Sequence, residues 1–126
     1  MINLYKMTAT CVGANGSAAG TVTTEFPIIG TIRAIHIDHS ASGAVTTDVV
    51  IATVNTPSIP ILTVTDSATD GWYQPSVPLH DNAAAAVTYD GTNEIYVPVS
   101  VVDAIKVTVA QANSAQTVTV TIIYER

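Results

Sequence analysis

A chain of 126 residues has the length of one domain, residues 1–126, and is long enough to bury a true core. Only 11% of its residues are charged while 48% are apolar, so the surface must consist largely of Thr, Ser, Asn, Gln, Ala and Gly. Such surfaces suit chains that lie against other proteins, or extracellular β domains. The formal net charge is −6, and Lys6, Arg33, Lys106 and Arg126 are the only cations, too few to follow a phosphate backbone, which argues against nucleic acid as a partner.

Residues 2–12 read as a first strand, with Leu4 and Lys6 on one parity and Tyr5 and Met7 on the other. The opening residues lack the basic start and apolar run of a leader, and no stretch approaches the roughly 20 apolar residues of a membrane helix. The expectation is synthesis in a cytoplasm and no membrane partner. Cys11 is the only cysteine, so it forms no disulfide within the chain. With no adjacent His or Lys to lower its pKa, it reads as a small buried hydrophobe rather than a reactive thiol.

The small residues at 13–20 read as a loop, and 21–26 as extended chain that Pro27 confines to a sheet edge or strand end. Residues 30–39 form the next strand, with Ile35 and Ile37 aligned against Ala34, His36 and Asp38. A small-residue turn follows at 40–44. Residues 47–54 are apolar on both parities, which predicts a central strand covered on both faces. A turn at Asn55-Thr56-Pro57-Ser58 leads to a short strand at 60–65.

Residues 66–78 look irregular and include Asp70-Gly71, a tight-turn signal. The four alanines at 83–86 are compatible with one helical turn, too short to be stable alone. Tyr89-Asp90-Gly91-Thr92-Asn93 is a second turn. Residues 94–102 read as one strand with Ile95, Val97, Val99 and Val101 aligned, and Pro98 marks it as an edge or bulged strand. Residues 104–111 align Ile105, Val107 and Val109. The last stretch, 116–124, alternates Thr117, Thr119 and Thr121 with Val118, Val120, Ile122 and Tyr124: one hydroxyl face, one apolar face, and β-branched residues that suit a pleated surface. These last two runs look like a β-hairpin. About eight strands at turn spacing, with no helical periodicity and no βαβ alternation, predict an all-β, two-sheet antiparallel β-sandwich of jelly-roll type.

Chemistry-bearing constellations are sparse. His36, Asp38 and His39 lie close together, and His80-Asp81 adds candidates, but a catalytic zinc site needs three oriented ligands and only a pair is evident. The favoured reading is local hydrogen bonding or an interface, with no metal and no cofactor. The stretch Asp66 to Asp70 and the pair Asp81-Asn82 lack the spacing of a Ca²⁺ loop. No nucleophile elbow and no phosphate-cradling glycine loop occurs, so no enzyme activity is expected. Aromatic content is 6%, and Trp72, Tyr73, Tyr89 and Tyr96 hold most of it. Trp72 is expected first as a plug at one end of the sandwich, and second as a platform for protein or sugar.

The runs Gly30-Thr-Ile-Arg-Ala-Ile-His-Ile-Asp, Asp70-Gly-Trp-Tyr, Tyr89-Asp-Gly-Thr, Ile95-Tyr-Val-Pro and Val118-Thr-Val-Thr-Ile-Ile-Tyr-Glu-Arg together resemble small structural proteins of tailed bacteriophages, above all capsid decoration (cement) proteins. The resemblance covers residues 30–126. It implies a β-sandwich, often a jelly roll, that assembles as a homotrimer on the outer capsid and clamps neighbouring major capsid protein subunits. On that reading Met1, Ile2, Asn3, Leu4, Tyr5 and Lys6 make a strap to a neighbour, and Trp72 and Tyr73 a contact surface. Two other classes stay open: a tail-fibre or carbohydrate-binding module, and a metal-dependent jelly-roll enzyme.

Overall fold

The computed structural model describes residues 1–41 and 43–126; Ser42, inside the turn expected at 40–44, lies outside the described residues. The strands are β1 (Ile2–Thr10), β2 (Ala18–Thr23), β3 (Ile28–His39), β4 (Asp48–Thr53), β5 (Pro60–Val64), β6 (Gly71–Tyr73), β7 (Ser76–Pro78), β8 (Tyr96–Pro98), β9 (Ser100–Asp103), β10 (Ile105–Ala112) and β11 (Thr117–Glu125). One sheet runs β1-β11-β3-β6, with β9 also on β3; the other runs β2-β10-β4-β5; β7 and β8 pair by themselves. Every pairing is antiparallel.

Without β7–β9, the chain is a ribbon folded on itself, early strands against late ones. β1 pairs with β11, β2 with β10, β3 with β6 and β4 with β5, and successive pairs fall in opposite sheets. That order is a jelly roll, as the strand pattern predicts. The eight framework strands match the expected number, and β7, β8 and β9 are an excursion between β6 and β10.

The alternation of β11 is realised in full. Val118, Val120, Ile122 and Tyr124 are buried and the intervening threonines are half-buried. Between β1 and β3, the strand meets Met7 and Ala9 on one side and Ile32, Ile35 and Ile37 on the other. Val49, Ile51, Ile105, Val107 and Val109 line the inner face of the second sheet. Each such side chain contributes about 1.5–3 kcal/mol by leaving water. Cys11 joins this core and is buried, and burial pushes its thiol pKa up.

The inward parity of β3 switches midway, from Ile28 and Ile32 to Ile35 and Ile37. The pairing explains it: Ile123 faces Ala34 but Tyr124 faces Ile32, so Arg33 is the extra residue of a β-bulge and points outward. Gly30, with φ of 138°, lets the backbone of Glu125 approach so closely that a side chain would collide with its carbonyl.

Several expectations are corrected. β10 and β11 are not a hairpin; they lie in opposite sheets and face each other across the core. The turn between them is held by the fully buried side chain of Gln116. Its Oε1 accepts from the backbone N–H groups of Ala44 (3.0 Å) and Asn113 (2.9 Å), and its Nε2 donates to Thr47 Oγ1 at 3.1 Å. β4 is central in its sheet but covered on one face only: Val49 and Ile51 are buried while Val50 and Val54 are exposed. The strand expected over 94–102 is two strands. Pro98 cannot donate to a ladder, and past it the chain leaves β7 and pairs with β3, so Val99 and Val101 enter the core and Val97 does not. The loop expected at 13–20 is shorter, because Ala18 already starts β2. Asp70-Gly71 is no hairpin turn: Gly71 opens β6, opposite Ile37.

Replacing Gln116 by Ala removes the shared acceptor of two N–H groups inside the protein. Urea unfolding is expected to lose about 2–4 kcal/mol of stability. A loss under about 0.5 kcal/mol, the scale of an ordinary surface change, would contradict this role.

Candidate functional site

Exposed apolar side chains occur on both sheets, and two regions bear on the residues expected to meet a partner. The first is the outer face of the five-stranded sheet. On β1, alternate residues turn outward, so Ile2, Leu4 and Lys6 are exposed, while Asn3 and Tyr5 turn toward the interior and are half-buried. Tyr5 meets the edge of Phe26 at 5.2 Å between ring centroids, and its hydroxyl accepts from Glu25 N–H at 3.0 Å. Across the sheet, Leu4 stands beside Ile123 and Ala34, and Lys6 beside Thr121, His36 and Trp72.

Trp72 is not the plug expected. It is 61% exposed because β6 pairs it with His36, whose parity faces outward; the two rings lie 4.8 Å apart. Tyr73, opposite Ile35, turns inward and rests on the core, so the two aromatics are on opposite faces. Of the residues expected to meet a partner, the structure therefore gathers Ile2, Leu4, Lys6 and Trp72 on one surface and turns Asn3, Tyr5 and Tyr73 away from it. Met1 and its neighbours do not project as a strap. They pair along β11 in their own sheet, with Arg126 N–H donating to the Met1 carbonyl at 3.1 Å. β1 is nevertheless an edge strand.

The second region is the arm at 76–98, where β7 and β8 pair. No residue of this stretch is buried, although it carries Val77, Leu79, Tyr89, Tyr96 and four consecutive alanines. A lone two-stranded ribbon is marginal in water, and two Asp-centred turns brace this one. Asp81 Oδ1 accepts from the N–H groups of Ala83 (2.8 Å) and Ala85 (3.0 Å), so the alanines form an Asp-capped turn, with Ala84 at φ 61°, and not a helical one. Asp90 Oδ1 accepts from Thr92 (2.9 Å) and Asn93 (2.6 Å). These backbone donors hold both carboxyls below the usual carboxylate range. At the root of the arm an open cleft of about 510 Å³ is lined by Arg33, Gln74 and Tyr96 among others.

Charge separates along the chain. Every acid except Glu25 and Glu125 lies between residues 34 and 105, and no Lys or Arg does. The outer face near Leu4 carries Lys6 and Arg33 together with Glu125, which pairs with Arg33, and Asp38, which stands opposite Thr119.

The metal candidates are scattered. His36 and Asp38 share the outer face, His39 is inside, and His80 and Asp81 are on the arm; among the described residues no group of three His, Cys, Asp or Glu could hold a metal ion. Asp70 Oδ1 accepts from the His39 backbone N–H at 2.7 Å. His39 is 8% exposed, and neither Nδ1 nor Nε2 of its ring has a hydrogen-bond partner among the described residues.

No protein-family model matches the chain, and no curated protein does. Among solved structures, a mutant of a family 29 carbohydrate-binding module aligns over 98% of this chain and 81% of its own, at 12% identity and a TM-score of 0.38. The structure of infectious bursal disease virus, Gx strain, aligns over 100% of this chain and 36% of its own, at 13% identity and a TM-score of 0.39. At these values neither likeness carries an argument about function. The class the structure itself defines is a jelly-roll β-sandwich with an excursion arm.

The His39 environment makes a pH prediction. Burial lowers its pKa from 6.5, with Asp70 and Asp38 pulling weakly the other way. The unfolded chain therefore takes up this proton at higher pH than the folded one. Stability is whole above pH 6.5 and falls as pH drops through and below that value. His39→Leu is expected to be at least as stable at pH 8, and its advantage in melting temperature should grow between pH 7 and pH 5. Parallel profiles for the two proteins would contradict the buried neutral ring.

Proposed function

We propose that the protein is a non-enzymatic structural component of a tailed-bacteriophage virion, which binds the outer surface of the capsid and stabilises it by bridging major capsid protein subunits. It does so as a homo-oligomer, a trimer by the resemblance noted above, without cofactor, nucleic acid or membrane. The observation that carries this reading is the arm: a stretch rich in apolar residues has no side chain fully buried within its own chain. Large exposed apolar surface marks a site of contact with another macromolecule. The outer face of β1 and β11 adds a second patch, with Leu4 and Trp72 both more than half exposed. The threonine-rich exterior fits a molecule that settles against other proteins, since few charges need to lose water. Partner binding also adds stability by mass action, because only the folded form binds.

A second reading has its own observation. Trp72 stands out from the sheet beside His36, and Tyr96 overhangs the cleft at the root of the arm. Exposed aromatics of this kind suit a sugar ring, so a tail-fibre or carbohydrate-binding module is the alternative.

Purified protein is to be mixed with capsids that lack it, and the particles sedimented. The capsid reading predicts saturable binding at a multiple of three copies per site and a raised capsid melting temperature. Trp72→Ala should weaken binding by about tenfold if this side chain is an anchor. No binding to mature capsids, together with saturable retention on a glycan array that Trp72→Ala abolishes, would overturn it in favour of the carbohydrate reading.

A further inference from the structure

The edges of the sandwich are not alike. β6 and β9 have only three and four residues, β5 opens on Pro60 and its pairing shifts register, and the pairing of β2 shifts between Val109 and Ala112 of β10. Short strands, proline and bulges are devices that blunt an edge against further pairing. β1 has none of them: it pairs with β11 through nine consecutive positions without a shift, and holds no Pro or Gly.

The parity of that pairing fixes which backbone groups are free. Met1 and Arg126 exchange both hydrogen bonds, the Met1 amino group donating to the Arg126 carbonyl and the Arg126 N–H to the Met1 carbonyl, each at 3.1 Å. At the other end, Cys11 N–H donates to the Gln116 carbonyl at 2.8 Å. Bonded and unbonded pairs alternate along an antiparallel ladder, so Asn3, Tyr5, Met7 and Ala9 bond to β11. The N–H and C=O groups of Ile2, Leu4, Lys6 and Thr8 then point away from the sheet, and none has another backbone partner among the described residues. Past Thr8 the edge is closed, because β2 crosses there: a Cβ on Gly20 would sit 2.5 Å from the Thr10 carbonyl oxygen.

We infer that Ile2–Thr8 is a strand-accepting edge, which binds an extended segment of another protein as a further strand of this sheet. The chemistry of the edge names its occupant. Donors and acceptors at strand spacing, over about 20 Å, are matched by another extended backbone. The side chains set its pattern. Opposite Ile2 and Leu4, both more than half exposed, the segment carries apolar residues. Opposite Lys6, which forms no ion pair among the described residues, it carries Asp or Glu. A residue opposite Tyr5 turns inward with it, toward Phe26, which is half exposed and edge-on to the Tyr5 ring. A second copy of β1 is a poor occupant. In every two-fold antiparallel register that uses three or more of the four residues, Lys6 meets Ile2, Leu4 or the other Lys6. The inference goes beyond the capsid reading, since it gives a mode of contact open to any protein partner.

The test uses the ¹⁵N-labelled full chain and a synthetic capped peptide of about nine residues, long enough to cover the edge. Val and Thr alternate in the peptide, with Glu placed to face Lys6 and Leu to face Leu4. In the free protein, amide exchange should be fast at Leu4, Lys6 and Thr8 and slow at Tyr5 and Met7. Equal rates would overturn the assigned parity. On titration the Ile2, Leu4, Lys6 and Thr8 amides should shift saturably and become protected. N-methylation of the peptide amides that face β1 should weaken binding by about tenfold or more, and so should Lys6→Glu. A peptide with Lys in place of its Glu should restore binding to Lys6→Glu. No saturable shift along β1, or binding indifferent to N-methylation, would overturn the inference. Protection of the same four amides by rising protein concentration alone would overturn it in favour of a second copy. These readouts use no capsid, so the inference stands or fails apart from the virion reading.

Discussion

The corner at Gln116 decides what kind of molecule this is. Its amide is enclosed in the protein and satisfies backbone groups of two loops, Ala44 between β3 and β4 and Asn113 at the β10–β11 reversal, while Thr47 receives its N–H. Because of that corner, β11 leaves the plane of β10 and crosses to the other sheet. The apolar sides of the two strands then meet face to face and not edge to edge. The nested pairing of early and late strands follows: β1 can lie on β11 and β2 on β10 only when those two strands are in different sheets. A buried amide of this kind is costly to leave unpaired and stabilising when fully paired, so it specifies one arrangement over its competitors.

The closed sandwich pushes the remaining questions to its exterior. The two sheets enclose an apolar interior, and yet the chain spends residues 76–98 on a ribbon in which no side chain is fully buried. Acidic residues gather in the middle of the sequence and cations near its ends. The fold gathers Asp81, Asp90 and Glu94 on an arm that has no Lys or Arg.

Much of the framework was legible in the sequence. The strict alternation at 117–124 announced its inward and outward faces, and the turn spacing announced a sandwich of about eight strands. The failures have physical causes. Inward alternation at Ile105, Val107 and Val109 looks the same whether the next strand lies beside them or across the core, so the hairpin reading had no way to fail on pattern alone. Trp72 was placed inside from its size and apolarity, but the pairing partner His36 sets its parity, and that register is a long-range fact. The break at Val99 hides in continuous Ile and Val alternation, and only Pro98 hinted at it. The arm escaped notice because its parts read separately, as irregular chain at 66–78, a possible helical turn at 83–86, a turn at 89–93 and one strand at 94–102, and the pairing of β7 with β8 that joins them is a long-range fact. Among the residues expected at an interface, period-two geometry divided Ile2, Leu4 and Lys6 from Asn3 and Tyr5, and Trp72 from Tyr73.

The central claim is that the arm at 76–98 is covered only when the protein meets another macromolecule. Amide hydrogen exchange tests it directly, by comparing dilute free protein with the assembled form, bound to capsids or concentrated. Fast exchange across 76–98 in the free protein, slowed strongly on assembly while the β3 and β11 amides stay unchanged, is the predicted result. Arm amides that exchange at the same rate in both forms would contradict it.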